Sequence, residues 1–462
     1  MADWAVIETQ TAHFGDKRLQ KRMQTLLTHL GDKPRLSIPA ACRGWAETQA
    51  AYRFFDNDKV SFEGVLESHS QATLERIRSC SVVLLPQDTT TLDYSVEKGK
   101  KGIGTLKIIE KRELMLHPTL ALTPQRLCLG VVAAARWQRI EPSPRSERRS
   151  KAVDEKESYY WVDGYQKACA VQALAPETLV VSLCDAEGDI YEFFSEQASF
   201  AAGSRASFII RAAQDRLLAE APTAERKLLA YVERQALLGT LRFKLPRRSG
   251  RKARRVKLRL RAARLRLKPP QRAGYKLPEV EISVVLAREE DPPSGAEAIE
   301  WLLLTDLPIE TALQAKTIVA WYGCRWQIEV YFRTLKQGCQ VEALRLEKAH
   351  RRDACLALYM IVAWRVLFIT MLARLAPEAE STLVLTEPEW RALYVVVAQR
   401  RPPDRAPPLA EAVKLLARLG GYLARKHDGM PGPKPIWVGI QRLHDLVWAL
   451  SSHQKLEQEA SW

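Results

Sequence analysis

Two short apolar runs constrain this chain more than any other feature. SVVLLPQD (81–88) and TLVVSLCD (178–185) are rich in Val and Leu, too short for ordinary helices, and each ends in an aspartate. Runs of this length and composition read as buried strands. Strands buried on both faces need helices above and below, so the expected fold class is mixed α/β. A carboxylate at the end of such a strand points into the crevice where ligands gather, which makes Asp88 and Asp185 candidates for chemistry. Asp185, just ahead of AEGDIYEF, also suits a helix N-cap.

Residues 1 to about 75 look helical and basic. GDKRLQKRMQTLLTHLGDK places Leu19, Met23, Leu26, Leu27 and Leu30 at helical spacing, with Arg18 and Arg22 on one face. AACRGWAETQAAYRFFDN (40–57) reads as a second helical unit, and together they form a small module able to lie on DNA. HPTLALTPQRLCLGVVAAARW (117–137) reads as two strands around a TPQR turn. A polar loop, EPSPRSERRSKAVD, precedes a helix over about 155–175; DIYEFFSEQ is helical and ASFIIRAA (206–213) is a strand again. The order is strand, strand, strand, helix, strand, helix, strand.

From Arg242 to Lys268 there are fourteen Arg or Lys residues. VKLRLR and LRLK alternate with period two, giving strands with one basic face. Such a face can be a solvated edge that resists aggregation, but the single sign of charge favours a phosphate-facing sheet. WLLLTD (301–306) resumes the buried-strand character, and long helices follow over about 310–336 and 354–375. RRPPDRAPP (400–408) reads as a linker and LARLGGYL as a helix with a Gly-Gly end. Ile436, Ile440, Leu443, Val447 and Leu450 then form an apolar stripe, either core or a subunit interface.

The net charge of +16, from 70 Lys and Arg against 54 Asp and Glu, favours a polyanionic partner. The eight cysteines are scattered without metal-ligand spacing, as suits a reducing compartment. ACLALYMIVAWRVLFITMLA (354–373) is long enough to span a bilayer, but Arg365 sits near its middle, so a buried helix is expected. The N-terminus has no signal-peptide core, and a cytoplasmic location is expected.

YGCRWQIEVYFRTLK (322–336) carries unusual chemistry for a helix. At roughly 100° per residue, Tyr322, Arg325, Glu329 and Lys336 share one narrow strip of about 60°. Ile328, Phe332 and Leu335 flank it, and Trp326 reads as packing. Asp88, Asp185 and Glu329, in a strongly basic chain, suggest hard divalent cations. Mg²⁺ takes one or two carboxylates plus water and phosphate oxygens, and an ion pair can activate water for in-line phosphodiester cleavage.

With these residues in place, the chain resembles bacterial DDE transposases of the Tn5 type, in the insertion-sequence-four family. Tyr-x2-Arg-x3-Glu-x6-Lys, that family's signature, stands as Tyr322, Arg325, Glu329 and Lys336; QDTT (87–90) and DAEGDIYEF (185–193) match the two aspartate motifs. DEKES (154–158), WLLLT (301–305) and LARLGGYL (416–423) match as well. The resemblance implies a ribonuclease-H-like core with a β-rich insertion at about 215–300 inside a catalytic domain at 76–375. It also implies an N-terminal helical DNA-binding domain at 1–75 and a C-terminal helical dimerisation domain at 376–462. It implies cut-and-paste transposition by end nicking, hairpin formation and target joining. Asp88, Asp185 and Glu329 would hold two Mg²⁺ ions, with Mn²⁺ able to substitute. Tyr322, Arg325 and Lys336 would grip phosphates, Trp301 would receive a flipped base, and Arg211 would line the cleft. Arg18 and Arg22 would contact the terminal repeat of the inverted-repeat ends, and the protein would act as a homodimer on DNA. The second motif often has Arg where this chain has Ala186. Two other readings are a catalytically silent DNA-binding relative or inhibitor of transposition, and a metal-dependent nuclease or resolvase of the same fold.

Overall fold

The computed structural model describes residues 4–460 apart from 43, 100–106, 111–112, 139–155, 223–224, 246–252 and 273–275. The polar loop 141–154, the start of DEKES and part of the basic run therefore lie outside the described residues.

The N-terminal module is helical as expected: α1 (Trp4–Thr9), α2 (Lys17–Asp32), α3 (Ile38–Ala41), α4 (Trp45–Phe55) and α5 (Phe62–Arg78). Asp16 accepts from the Arg18 N–H to start α2, and Ser61 accepts from Gly64 to start α5. These caps satisfy donors that a helix start leaves without partners. Met23, Leu26, Leu27 and Leu30 form the buried face of α2.

The strands are β1 (Val82–Pro86), β2 (Thr90–Asp93), β3 (Val96–Gly99), β4 (Lys107–Glu110), β5 (Glu113–Leu122) and β6 (Cys128–Gln138). After α6 (Tyr159–Leu174) come β7 (Leu179–Cys184), α7 (Tyr191–Ser199), β8 (Ser207–Arg211) and α8 (Leu228–Glu233). Then follow β9 (Gly239–Leu245), β10 (Arg254–Leu267), β11 (Val280–Glu289) and β12 (Glu300–Thr305). One ten-stranded sheet runs β2-β5-β1-β7-β8-β12-β11-β10-β9, with β6 on β5. β1, β7 and β8 are mutually parallel, while the other pairings are antiparallel, so the sheet is mixed. The short strand β2 and the β3–β4 hairpin have no apolar run and escape sequence reading. The inserted strands β9 to β11 extend the same sheet beyond β12.

Alternation places Leu84 on one face of the sheet, and Val83 and Leu85 on the other. One face packs on the N-terminal helices and on α9 (Ala312–Tyr322), α10 (Gln327–Arg333) and α11 (Ala349–Leu375). The other packs on α6, α7 and α8 through Tyr165, Tyr191, Phe193, Phe194 and Val232. VKLRLR and the LRL of LRLK belong to one strand, β10, and not to separate strands. Val256, Leu258 and Leu260 are buried on the first face, whereas Leu265 and Leu267 are buried on the second. The switch falls at Ala262–Ala263, small residues that suit either side, which is why the alternation looks interrupted in sequence.

The helix expected over 310–336 is helical throughout but not uniformly α. A capping box of Thr311 and Gln314 starts α9; a 3₁₀ turn at Gly323–Trp326, then α10 and a π-turn at Thr334–Gly338, follow. π-Turns often mark functional sites. Trp326 is 47% exposed, so its expected packing role is wrong. α11 is long and apolar enough to cross a membrane, yet it is buried within the protein. Arg365 is accommodated by stacking over Trp4, 4.4 Å from the ring centroid. The C-terminal helices α12 (Glu387–Leu393), α13 (Leu409–Leu419) and α14 (Pro433–Ala460) pack on the end of α11. Ile436, Ile440 and Leu443 of the stripe are core. A Cβ at Gly439 would lie 2.1 Å from the Leu416 carbonyl oxygen, so glycine permits this close crossing.

Candidate active site

The floor of the site is set by strand register. Parallel β1 and β7 pair Pro86 with Leu183, and the Gln87 N–H continues the ladder to the Leu183 carbonyl. Two residues on, the same register sets Asp88 beside Asp185, on strands about 4.8 Å apart. Asp88 is 8% exposed; its Oδ1 accepts from the Thr89 N–H at 2.8 Å and its Oδ2 from Arg325 at 2.7 Å. Burial pushes its carboxyl up to about 6, opposed by the Arg325 guanidinium and reinforced by the negative charge of Asp185. Asp185 also serves as the cap anticipated from sequence, accepting from the Glu187 N–H at 2.7 Å at the start of a 3₁₀ turn. Ala186 lies in that turn.

The wall opposite comes from the helical segment after β12. Tyr322 is buried, and Trp301 of β12 meets it edge-on with centroids 5.6 Å apart. Burial raises the Tyr322 phenol; the charges of Arg325 and Arg211 oppose that shift and Asp185 adds to it. Tyr322, Arg325, Arg211 and Trp301 are thus gathered around the two aspartates. Arg211, exposed at the end of β8, pairs in register with Leu303 of β12. Lys336 donates to the Thr91 carbonyl at 2.5 Å, with Glu342 at 3.8 Å. The winding passes from α to 3₁₀ to α to π between Tyr322 and Lys336, so the angular spacing of the four is not that of an ideal helix.

Arg18 and Arg22 sit on α2, far in sequence from the cleft, and each already has a carboxylate partner. Arg18 pairs with Asp16 at 2.9 Å and Arg22 with Glu47 at 2.6 Å. Sequence reasoning missed Trp45, which is 75% exposed at the start of α4 in the same module. It also missed how the insertion divides its charge. Arg254, Arg259, Arg261, Arg264 and Arg266 all pair with glutamates. Lys244 stands opposite Arg255, and Arg242 opposite Lys257, like charges that destabilise a bare hairpin. Among the described residues no carboxylate partners these four.

Asp88 and Asp185 suit a divalent cation. Their charges oppose each other across adjacent strand ends, and a guanidinium already occupies one Asp88 oxygen. Glu329 lies one turn beyond Arg325 and half-buried. Among the described residues no cluster of three or more His, Cys, Asp and Glu is close enough to hold an ion together. The fold thus joins two of the three expected carboxylates and leaves Glu329 on the wall.

Three family models match the chain: transposase DNA-binding at residues 1–60, transposase DDE domain at 196–364, and transposase Tn5 dimerisation domain at 361–453. Asp88 and Asp185 precede the DDE match, and Glu329 lies within it. A solved piggyBac transposase synaptic complex with hairpin DNA aligns over 79% of this chain and 71% of that one. Its sequence identity is 7% and its TM-score 0.32, too loose a likeness to bear on function. The mixed sheet between helical ends, with the three matches, defines a DNA transposase with a ribonuclease-H-like core. The chain belongs to the Tn5-type DDE transposases, divalent-metal-dependent enzymes whose partners are DNA and a second copy of the chain.

Proposed function

We propose that Asp88, Asp185 and Glu329 are the catalytic and metal-binding carboxylates, holding two Mg²⁺ ions for which Mn²⁺ substitutes. The observation that carries this is the register setting Asp88 beside Asp185 under Arg325. A divalent cation bound there supplies Lewis-acid activation of the attacking oxygen and charge neutralisation at the leaving oxygen. Arg325 and Tyr322 orient the scissile phosphate, and Arg211 meets the phosphate beside it. Trp301 offers an indole face to a base taken out of the stack. Lys336 grips DNA at the β2 side of the cleft. The reaction runs from 3′-end nicking by water, through attack of the freed 3′-hydroxyl to form a hairpin, to hairpin opening and target joining.

Arg18 and Arg22, after exchanging their carboxylates for phosphates, hold the terminal repeat, with Trp45 beside them. The working divisions are 1–75 for end binding, 76–375 for catalysis with the insertion at about 215–300, and 376–462 for pairing two protomers. Arg242, Lys244, Arg255 and Lys257 give the insertion its phosphate-facing edge. The protein acts in the cytoplasm, on the nucleoid.

Asp88→Ala, Asp185→Ala and Glu329→Ala are each expected to abolish Mg²⁺-dependent nicking of cognate ends while gel shifts show end binding intact. Normal cutting by any one of them removes that residue from the set. Normal cutting without strand transfer by the unaltered protein would favour a simple nuclease.

A further inference from the structure

Directly beneath the two aspartates lies a sealed polar network to which the reaction as described assigns no role. Gln87 and Cys184, the residues just before Asp88 and Asp185, are fully buried. The Gln87 carboxamide bridges the strands that carry the aspartates. Its Nε2 donates to Ser182 Oγ at 3.1 Å and approaches Cys184 Sγ at 3.3 Å, both on β7. Its Oε1 lies 2.9 Å from His117 Nε2 on β5, on the other side of β1. His117 Nδ1 in turn meets Thr89 Oγ1 at 2.7 Å, one residue past Asp88. Burial holds His117 down to about 3, so the ring is neutral at working pH. The helix above leaves room for the bridge: a Cβ at Gly164 of α6 would lie 2.0 Å from Gln87 Oε1.

Backbone hydrogen bonds fix strand spacing at the level of the ladder, but the ladder stops at Gln87. Asp88 and Asp185 therefore extend past the last main-chain tie between β1 and β7, although β5 is tied on either side of Asp88, at Gln87 and Thr90. The side-chain chain Thr89–His117–Gln87–Ser182 is what continues the brace to that level, gripping residues on both sides of Asp88 and the strand leading into Asp185. Buried networks with every member satisfied rigidify their surroundings, and partly satisfied ones do not.

We propose that Gln87 and His117 are positioning residues: they set the separation of Asp88 and Asp185, and through it the affinity of that pair for a divalent cation. This rests on the assignment of Asp88 and Asp185 as metal-binding carboxylates. His117→Leu and Gln87→Leu replace polar atoms by apolar ones of similar size; His117→Gln keeps a donor within reach of Gln87. Ser182→Ala removes a single partner with little change of volume.

The test uses the full chain. Mn²⁺ binding is measured by isothermal titration calorimetry on the DNA-free protein, and nicking of cognate ends is followed across Mn²⁺ concentration. Circular dichroism and end binding select conditions in which each variant is folded. The leucine variants are expected to weaken Mn²⁺ binding about 10- to 100-fold and to raise the half-saturating Mn²⁺ for nicking by the same factor. Nicking should largely recover at saturating Mn²⁺. His117→Gln should lie between these and the unaltered protein, and Ser182→Ala should show a smaller shift, readable even where the leucine variants fail to fold. Unchanged Mn²⁺ affinity and half-saturation in the folded variants, with only a lower Tm, overturns the proposal. Asp88→Asn and Asp185→Asn run alongside. If they retain Mn²⁺ binding and nicking, the carboxylate assignment itself fails; if they lose both while the network variants match the unaltered protein, only the positioning role fails.

Discussion

The two sides of the cleft are built in contrasting ways. The floor consists of regular strands whose register aligns Asp88 with Asp185, above a buried, mutually bonded set of polar side chains. The wall is a helical segment that passes from α to 3₁₀ to α to π within residues 312–338. Strand register cannot shift by a fraction of a residue, whereas a change of helical winding re-aims side chains by tens of degrees at small cost. On the proposed assignment, groups that must keep a set separation sit on strands, and groups that must follow a substrate sit on the irregular helix.

The ion pair between Arg325 and Asp88 joins the two sides, and breaking it tests the contrast most strongly. Arg325→Ala is expected to lower cleavage about 100-fold or more, the scale of losing one preorganised charge donor. With Asp88 as a metal-binding carboxylate, as proposed, the guanidinium competes with the cation, and Mn²⁺ affinity of the DNA-free variant should rise. Calorimetry giving weaker Mn²⁺ binding would mean that Arg325 holds Asp88 in place, and does not merely neutralise it.

A smaller effect is expected at Trp301, half-buried against Tyr322. Trp301→Ala should slow hairpin formation about tenfold, within the range for stacking one base on an aromatic ring, and leave first-strand nicking closer to normal. Rapid-quench assays that show equal slowing of both steps would assign Trp301 to packing.

The smallest effect is on stability. Since the folded-state carboxyl of Asp88 is raised from 3.8 to about 6, the native protein holds a proton that the unfolded chain has lost in this window. The metal-free protein therefore loses stability from this group as pH rises from about 4 to about 6, with no further change above. Asp306, also raised to about 6 by burial, adds a similar slope. Asp88→Asn should show a Tm advantage over the unaltered protein that grows across that window to a few degrees and then levels. A Tm difference independent of pH, measured by scanning calorimetry in EDTA, would contradict the shift.

Much of the floor was legible in sequence, because short Val- and Leu-rich runs ending in aspartate report burial and strand ends at once. The wall was legible only as residue types. Residues 323 to 338 have helical dihedrals almost throughout, so nothing local distinguishes 3₁₀ from α from π. The pairing of Arg325 with Asp88 spans 237 positions, beyond the reach of any periodicity. Trp326 misled because its apolar neighbours Ile328 and Phe332 are buried while it points outward. β2 was missed because TTLD offers a single buried residue, Leu92.

The changeover at Ala262–Ala263 in β10 has a consequence for how this region can drift. Before it, the even positions Val256, Leu258 and Leu260 are packed and the odd positions Arg255 and Lys257 are open; after it, Leu265 and Leu267 are packed and Arg264 and Arg266 are open. Mutational tolerance along a single strand should reverse parity at that dipeptide. A one-residue insertion or deletion ahead of it would move every arginine of the outer half inward, while a substitution that respects the parity would leave the core intact and alter only the charge offered to the surroundings.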